Sequence, residues 1–298
     1  MFVRAREWDC RVPPQCPRKV PAHPRQEYAP VMLAPMLLVS VGNTRTRFAR
    51  VEEGKLQPSL VVDNSDRTGA TAAVIDGAAT SAGPLPVLMA SVNTAEADRL
   101  EKALEAAGSQ VTRFIRDVPI PVRNTLEDDS TVGQDRLLDA LGAYSQARQA
   151  CVVIDAGTAV TVDFVDGEGT FQGGAIAPGT AMMLRALREH TAALPEVRLT
   201  HETLPGAESP FGKGTSQAMA LGVAGAIRGL VHYLIDRYAE AYGAYPRVVA
   251  TGGDAALLFD GDDLIEHIVP DLTLVGMVAA AEALEALSDG DDDEDDRP

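Results

Sequence analysis

The stretch Val152–Asp163 reads Val-Val-Ile-Asp-Ala-Gly-Thr-Ala-Val-Thr-Val-Asp, and it decides the fold. A β-branched apolar run ends at Asp155, Gly157 and Thr158 follow, and the alternation resumes at Val160, which is typical of strand, tight turn and strand. The glycine lets a ligand approach the main-chain N–H groups beside the Asp155 and Thr158 side chains. The turn predicts a site for a phosphate and a cation, although an ordinary hairpin with a polar tip explains this segment alone equally well.

A second copy of the pattern begins at Leu37 and reads Leu-Leu-Val-Ser-Val-Gly-Asn-Thr-Arg-Thr-Arg-Phe-Ala-Arg-Val. Each copy is followed by a glycine-containing turn, at residues 53–55 and 166–169, and then by a further strand-like segment. The chain is therefore predicted to be internally duplicated. Two related β-rich lobes, each offering a Gly-Thr turn, favour a cleft that holds a nucleotide between them.

Composition excludes several other classes of protein. The 298 residues are 46% hydrophobic, which is enough for two cores, and the net charge of −17 argues against a nucleic-acid-binding surface. The three cysteines offer no disulfide framework or metal-binding spacing, and the first residues lack a signal-peptide core. We also find no apolar run of membrane-spanning length. We predict a cytoplasmic protein that binds neither nucleic acid nor a membrane.

Both ends of the chain are predicted to lie outside the fold. Residues 1–35 are rich in Pro and Arg without apolar periodicity, so we expect a disordered extension, with Met32 or Met36 as an alternative start. Residues 289–296 are nearly continuous acid, and we expect 288–298 to be a disordered acidic tail. The remainder divides into an N-terminal lobe, residues 36–150, and a C-terminal lobe, residues 151–287.

Strand and helix patterns alternate between the motifs, which indicates an α/β fold with parallel strand pairing. Thr215 is expected to cap a long helix. The apolar spacing predicts helices over residues 66–79, 95–107, 137–149, 182–190, 215–241 and 272–287, and strands over 87–92, 110–115 and 247–250.

The pair Asp135-Arg136 is the sharpest candidate for chemistry. A carboxylate at a helix entry can deprotonate a substrate hydroxyl, and the adjacent guanidinium can hold a substrate carboxylate in bidentate fashion. A helix-start acid beside a solvated arginine is the commoner arrangement and stays an alternative. The histidines have no ligand spacing, so no transition-metal site is expected, and no P-loop or dinucleotide-binding glycine spacing is present.

Four motifs then follow one another along the chain. They are Val41-Gly42-Asn43-Thr44, Gly133-Gln134-Asp135-Arg136, Asp155-Ala156-Gly157-Thr158 and Gly173-Gly174-Ala175-Ile176-Ala177-Pro178-Gly179. Together they resemble the type III pantothenate kinase family, over residues 36–287. The resemblance implies a duplicated actin-like ATPase fold, of the RNase H-like kind, in which two lobes with mixed sheets flanked by helices enclose a nucleotide cleft.

The resemblance also implies an activity and roles for residues. It implies a homodimer that phosphorylates pantothenate to 4'-phosphopantothenate with ATP, the first step of coenzyme A synthesis. Asp135 would be the general base, and Asp155 would bind a monovalent cation, K⁺ or NH₄⁺. The residues expected to bind pantothenate are Gly133, Gln134, Asp135, Arg136 and Thr215. Those expected to bind ATP, which carries Mg²⁺, are Ser40, Val41, Gly42, Asn43, Thr44, Arg45, Thr46, Arg47 and Thr158.

Two positions depart from the family pattern. Ser40 stands where the family usually has an Asp that helps to hold magnesium, and a hydroxyl is a weaker ligand for a hard cation than a carboxylate. Leu126 stands where a tyrosine is common, nine residues before the base. Two alternatives therefore stay open: a catalytically degenerate relative that acts as a ligand-binding regulatory protein, and a kinase of another small hydroxylated substrate.

Overall fold

The computed structural model describes residues 33–204 and 210–291. The expectations for residues 1–32, including the alternative start at Met32, and for residues 292–298 lie outside this range. Met36, the other alternative start, is the first residue of the first strand. The division of the chain into two lobes at residue 150 stays a prediction.

The first sheet contains six strands. They are β1 (Met36–Val41), β2 (Arg45–Glu52), β3 (Lys55–Leu56), β4 (Leu60–Asp63), β5 (Val87–Ser91) and β6 (Val111–Arg113). The order is β3-β2-β1-β5-β6, and β4 also pairs with β2. Strands β1 and β2 are antiparallel, whereas β1, β5 and β6 run parallel to one another. The sheet is therefore mixed.

The second sheet repeats this topology with five strands. They are β7 (Cys151–Ala156), β8 (Ala159–Val165), β9 (Phe171–Pro178), β10 (Arg247–Thr251) and β11 (His267–Ile268). The order is β11-β10-β7-β8-β9, with β7, β8 and β9 antiparallel and β7, β10 and β11 parallel. Each half of the chain thus forms an antiparallel meander followed by two parallel strands. The structure confirms the predicted duplicated fold, with two mixed sheets flanked by helices.

Seven helices lie in the described residues. They are α1 (Arg67–Ala78), α2 (Thr94–Ala106), α3 (Gln134–Ala147), α4 (Thr180–Glu189), α5 (Thr215–Tyr242), α6 (Ala255–Phe259) and α7 (Leu272–Asp291). The six predicted helices are present, and the short α6 was not predicted. Helix α7 continues four residues beyond Leu287, into the segment expected to be a tail. The capping prediction was wrong: the extended Gly214 is the N-cap of α5 and Thr215 is its first residue, with no side-chain cap.

Helices α3 and α7 lie between the two sheets. Alternate residues of each central strand point to opposite faces. Leu38 of β1 and Val153 of β7 join α3 and α7 in one central core, whereas Val39 packs in a separate core with α1 and α2, and Ile154 packs with α4 and α5. Strands buried on both faces read as continuous apolar runs, which explains the apolar runs Leu37–Val39 and Val152–Ile154.

Helices α3 and α7 approach each other so closely that glycine is required at the contact. A Cβ atom added at Gly142 would lie 2.7 Å from the Leu272 carbonyl oxygen and 2.9 Å from the Gly276 nitrogen. A Cβ added at Gly276 would overlap the carbonyl group of Leu138. Because these neighbours are backbone atoms, neither can move aside cheaply. The two glycines therefore fix the register of one helix against the other.

Among the described residues, α5 is long and apolar enough to cross a membrane by length and composition, with a mean hydropathy of 1.5. By that measure, the prediction that no apolar run is long enough to span a membrane was wrong. One face of α5 carries Val223, Ile227 and Val231, which pack in the core of the second sheet. A core helix of a globular domain passes the same test, so this helix alone is weak support for a membrane segment.

The glycine contact can be tested by substitution. We expect Gly276→Ala to lower the free energy of unfolding by about 1–3 kcal/mol, because the methyl group must displace the α3 backbone. Gly229→Ala on α5 is the matched control, since open space surrounds Gly229 and alanine should add up to about 1 kcal/mol there. Denaturant titration of both variants gives the two free energies of unfolding. A value for Gly276→Ala equal to that of wild type would contradict the close contact of α3 with α7.

Candidate active site

A cleft of about 430 Å³ opens at the carboxyl ends of the parallel strands of both sheets. Its walls include three turns that follow strands: Gly42–Thr44 after β1, Gly157–Thr158 after β7, and Gly252–Asp254 after β10. Asp135 lies at the start of α3 and also lines the cleft. Ligands of open α/β sheets bind at this edge, where backbone N–H groups and helix N-termini converge.

The two duplicated turns contact each other across this cleft. The hydroxyl oxygens of Thr44 and Thr158 lie 2.6 Å apart, within hydrogen-bond distance. Arg45, which follows the first turn, also reaches the opposite lobe, because a Cβ added at Gly253 would lie 3.1 Å from its guanidinium. Gly252 has a φ of +97°, a backbone conformation that other residues rarely adopt. The cleft is thus bounded by backbone turns from both lobes.

The Asp135 carboxylate is half-buried in the first turn of α3. Its Oδ1 accepts a hydrogen bond from the Arg136 backbone nitrogen at 2.8 Å. Burial raises the pKa of Asp135, and this outweighs the lowering by the Arg136 backbone bond and charge. A raised pKa makes a carboxylate a better proton acceptor at neutral pH, provided that it is ionised. The geometry is consistent with general-base chemistry at this position.

Asp155 lies at the floor of the cleft, between two glycine turns. A Cβ added at Gly157 would lie 3.3 Å from Asp155 Oδ1. Burial, followed by the charges of Asp135 and Asp163, raises the pKa of Asp155, while Arg47 lowers it. Within residues 33–204 and 210–291, no side-chain hydrogen bond reaches this carboxylate. A desolvated carboxylate without such a partner is electrostatically suited to a cation.

The side chains on either side of Asp135 are engaged within the protein. Arg136 forms an ion pair with Asp163 of β8, its Nε lying 3.1 Å from Oδ2, and its guanidinium lies over the Phe171 ring. Gln134 Oε1 accepts a hydrogen bond from the Ser91 backbone nitrogen at 3.0 Å, at the end of β5. Gln134, Arg136 and Gly133 are not among the residues that line the cleft. Gln134 links the start of α3 to the first sheet, and Arg136 links it to the second.

The segment Ser40–Arg47 lies mostly along the cleft, but one of its residues lies in the interior. Of the predicted ATP-binding residues, Thr46 alone lies away from the cleft, and it is fully buried. Its hydroxyl donates to Asn64 Oδ1 at 2.8 Å, and Asn64 in turn donates to the Gly42 carbonyl oxygen at 2.8 Å. Thr46 therefore supports the turn from behind. Thr215 does not line the cleft of this single chain.

A model of the type III pantothenate kinase family matches residues 36–237. The chain belongs to the type III pantothenate kinase family. It is 41% identical over 162 residues to a type III pantothenate kinase of Rhodospirillum rubrum and 42% identical over 150 residues to one of Akkermansia muciniphila. These alignments cover 54% and 50% of this chain and 61% and 60% of the relatives, so the matched segment spans about three fifths of their length.

A solved structure of a Baf family protein from Campylobacter jejuni resembles this chain with a TM-score of 0.53 and 20% sequence identity. The superposition covers 85% of this chain and 100% of the other. At this level of identity the likeness supports the fold and says nothing about activity.

The structure adds site residues that the motifs of this pantothenate kinase family did not indicate. Asp139 and Asp163 are almost fully buried beside the cleft floor, and Thr273 lines the cleft and donates to Asp139 Oδ1 at 2.6 Å. Helical spacing was an available signal for Asp139, because it lies four residues after Asp135 and so on the same face of α3. No signal in the sequence pointed to Thr273, since only folding brings α7 against α3.

The residues that line the cleft provide only some of the ligands that a bound cation needs. Within residues 33–204 and 210–291, no group of three His, Cys, Asp or Glu side chains is placed to hold a metal ion. Ser40 lines the cleft where the family usually has a carboxylate. Asp155 lines the cleft, and its desolvated carboxylate is of a kind that suits a cation. Magnesium would therefore depend on phosphate oxygens and water for most of its ligands.

Asp139 gives a prediction about pH and stability. Burial, followed by the Asp155 charge, raises the pKa of Asp139 well above its usual value. Between the ordinary and the raised pKa, the folded protein binds more protons than the unfolded chain, so this group lowers stability as the pH rises. We expect Asp139→Asn, which keeps an acceptor for Thr273, to gain stability over wild type as the pH increases from 4 to 8.

The measurement is the free energy of unfolding at each pH. Every unit of pKa shift should appear as about 1.4 kcal/mol in the difference between the two proteins. Asp236→Asn is the control, because it removes one charge from the exposed side of α5 and thus reports the effect of reducing the net negative charge. A pH dependence in Asp139→Asn equal to that of the control would contradict the prediction.

Proposed function

We propose that this chain transfers the γ-phosphoryl group of ATP to the hydroxyl of pantothenate, the first step of coenzyme A synthesis. One observation carries the proposal. In a member of the type III pantothenate kinase family, the Asp135 carboxylate lines a cleft between two Gly-Thr turns that face each other from duplicated lobes. Phosphoryl transfer depends mainly on alignment and charge neutralisation, which this arrangement can provide.

The turns are proposed to hold the phosphates of ATP. Backbone N–H groups of Gly42–Thr44 and of Gly157–Thr158 would donate to phosphate oxygens, as such turns do for anions. The Thr44 and Thr158 hydroxyls now donate or accept between themselves and would instead donate to phosphate oxygens when ATP enters. Arg45 and Arg185 line the same cleft and bring positive charge to it. Asp135 would accept the proton of the attacking hydroxyl.

Two cations are proposed beside the nucleotide. Asp155 would hold a monovalent cation, K⁺ or NH₄⁺, because its half-buried carboxylate lacks a hydrogen-bonding partner among the described residues. Mg²⁺ would be held by phosphate oxygens with Ser40 as a weak neighbouring ligand. When bound, these cations neutralise charge on the phosphates. The residues of the chain itself supply the turns, the base and the walls of the cleft.

Pantothenate is proposed to bind beside Asp135. Gly133, Gln134 and Arg136 would shape this subsite, with Arg136 oriented by its ion pair to Asp163. We also propose that the protein is a cytoplasmic homodimer. The dimer would explain why Thr215 lies outside the cleft of the single chain, since a partner subunit could bring its own long helix to the site. Light scattering coupled to size-exclusion chromatography measures the oligomeric state.

Asp135→Asn tests the base. We expect turnover to fall by at least about 10², because general-base catalysis typically contributes 10²–10⁴ in rate, whereas ATP affinity should change little. Mass spectrometry of phosphopantothenate gives turnover in the presence of ATP, magnesium, potassium and pantothenate, and calorimetry gives ATP affinity. Asp128→Asn, in the loop that precedes α3, is the control for loss of an acid. Near-normal turnover in Asp135→Asn would refute the role of Asp135.

A second candidate is a catalytically degenerate relative that binds ATP or pantothenate and acts as a regulatory protein. The observation that favours it is Ser40, which leaves the first phosphate turn without a carboxylate. Leu126 also favours this candidate, because it packs against the central core beside Gly173 and offers no polar group to a substrate. A kinase of another small hydroxylated substrate is the third alternative, and substitution of other hydroxylated acceptors in the same assay distinguishes it.

Ser40→Asp separates the first two candidates. If the weak metal site limits the activity, the new carboxylate should raise turnover and lower the magnesium concentration at half-maximal rate by roughly tenfold, the equivalent of about 1.4 kcal/mol of added binding. Ser40→Asn is the matched control, because it has the same shape without the charge. Absence of product from wild type and from Ser40→Asp, together with measurable ATP binding, would favour the regulatory protein.

A further inference from the structure

The start of α7, from the preceding residue Asp271 to Thr273, is bonded to both halves of the proposed site. Arg47 of β2, the strand that follows the first phosphate turn, donates to the Asp271 carboxylate, which also accepts from Ser59 Oγ at 2.7 Å. Two residues later, Thr273 Oγ1 donates to Asp139 Oδ1 at 2.6 Å. Arg47 and Thr273 both line the cleft. The segment Asp271–Thr273 thus links β2, which follows the Gly42–Thr44 turn, to α3, which carries Asp135.

The link to α3 ends close to the base. Asp139 lies one helical turn after Asp135, on the same side of α3. It is 3% exposed, so the Thr273–Asp139 hydrogen bond is shielded from water on the carboxylate side. In such surroundings a hydrogen bond resists exchange with solvent and holds its geometry. Movement of Thr273 would therefore be transmitted to the first two turns of α3.

Backbone packing against α7 also supports the first two helical turns of α3. Leu272 stands between Asp271 and Thr273, and its carbonyl oxygen abuts Gly142 of α3. The carbonyl of Leu138, the neighbour of Asp139, abuts Gly276 of α7. Helix α7 also contacts β1 and β2, which flank the first phosphate turn. The residues that form these hydrogen bonds are therefore held in place by the close backbone packing of α3 against α7.

We propose that Asp271 and Thr273 are positioning residues, which hold the Gly42–Thr44 turn and Asp135 at a fixed separation for phosphoryl transfer. This inference rests on the proposed kinase activity. In-line transfer tolerates little misplacement, and an error of about 1 Å can cost about 10²-fold in rate. A merely structural role would lower stability. A positioning role lowers kcat while the KM for ATP and the melting temperature stay close to those of wild type.

Thr273→Val removes the hydroxyl at nearly constant shape. We expect kcat to fall roughly tenfold, a fraction of the loss that misplacement by about 1 Å can cause. The KM for ATP should stay within about twofold. Thr273→Ser retains the hydroxyl and should restore most of kcat. The inference would be overturned by a kcat of Thr273→Val equal to wild type, by Thr273→Ser being as impaired as Thr273→Val, or by a loss that tracks a lowered melting temperature.

Asp271→Asn tests the other end of the turn. Asparagine keeps an acceptor for Ser59 but removes the charge that binds Arg47, so kcat should fall, by less than in Thr273→Val. The double variant should lose less than the product of the two single losses, because both changes act on one element. Glu266→Gln is the control, since Glu266 pairs with Arg247 at the surface of the second sheet. Multiplicative losses in the double variant would contradict a shared element.

A second readout keeps this inference separate from the proposed function. Hydrogen–deuterium exchange of the peptide 133–141 is measured with and without magnesium ATP. If the segment Asp271–Thr273 connects the Gly42–Thr44 turn to α3, ATP should slow exchange in this peptide of wild type and of Thr273→Ser, but less in Thr273→Val. Wild type that makes no phosphopantothenate but shows this pattern would refute the kinase alone. Equal protection in all three proteins would refute the positioning role.

Discussion

The close contact of α3 with α7 is the constraint on which the rest of the structure depends. These two helices fill the space between the sheets, and two glycines let their backbones touch. One side chain larger than hydrogen at either glycine would force them apart. The start of α3 carries Asp135 and the start of α7 carries Thr273, so the packing that builds the central core also sets the floor of the cleft.

Electrostatics gives the cleft floor its chemical character. Burial raises the pKa values of Asp135, Asp139, Asp155 and Asp163, and neighbouring carboxylates raise those of Asp139, Asp155 and Asp163 further. Asp163 forms an ion pair with Arg136. Such crowding lowers stability at neutral pH, because buried carboxylates resist ionisation. A site that concentrates negative charge in this way suits cations and a proton acceptor.

Much of the fold could be predicted, because apolar alternation and helical spacing are local. The duplicated runs at residues 37–51 and 152–163 gave two hairpins, and their common pattern predicted the repeated sheet. The site was predicted less completely. Asp135 and Asp155 line the cleft as expected, but Thr46 is buried behind its turn, and the predictions for Arg136 as a free guanidinium did not foresee its ion pair with Asp163.

The sequence by itself determined the two Gly-Thr turns, the strand and helix order and the family, because these are written in residues that lie next to one another. Only the tertiary structure decided that Thr44 meets Thr158, that Asp139 and Thr273 share a hydrogen bond, and that Arg47 binds Asp271. Each of these pairs is separated by more than a hundred residues. Their contacts depend on how the helices between the sheets pack. Local periodicity carries no information about which residues far apart in the sequence come together.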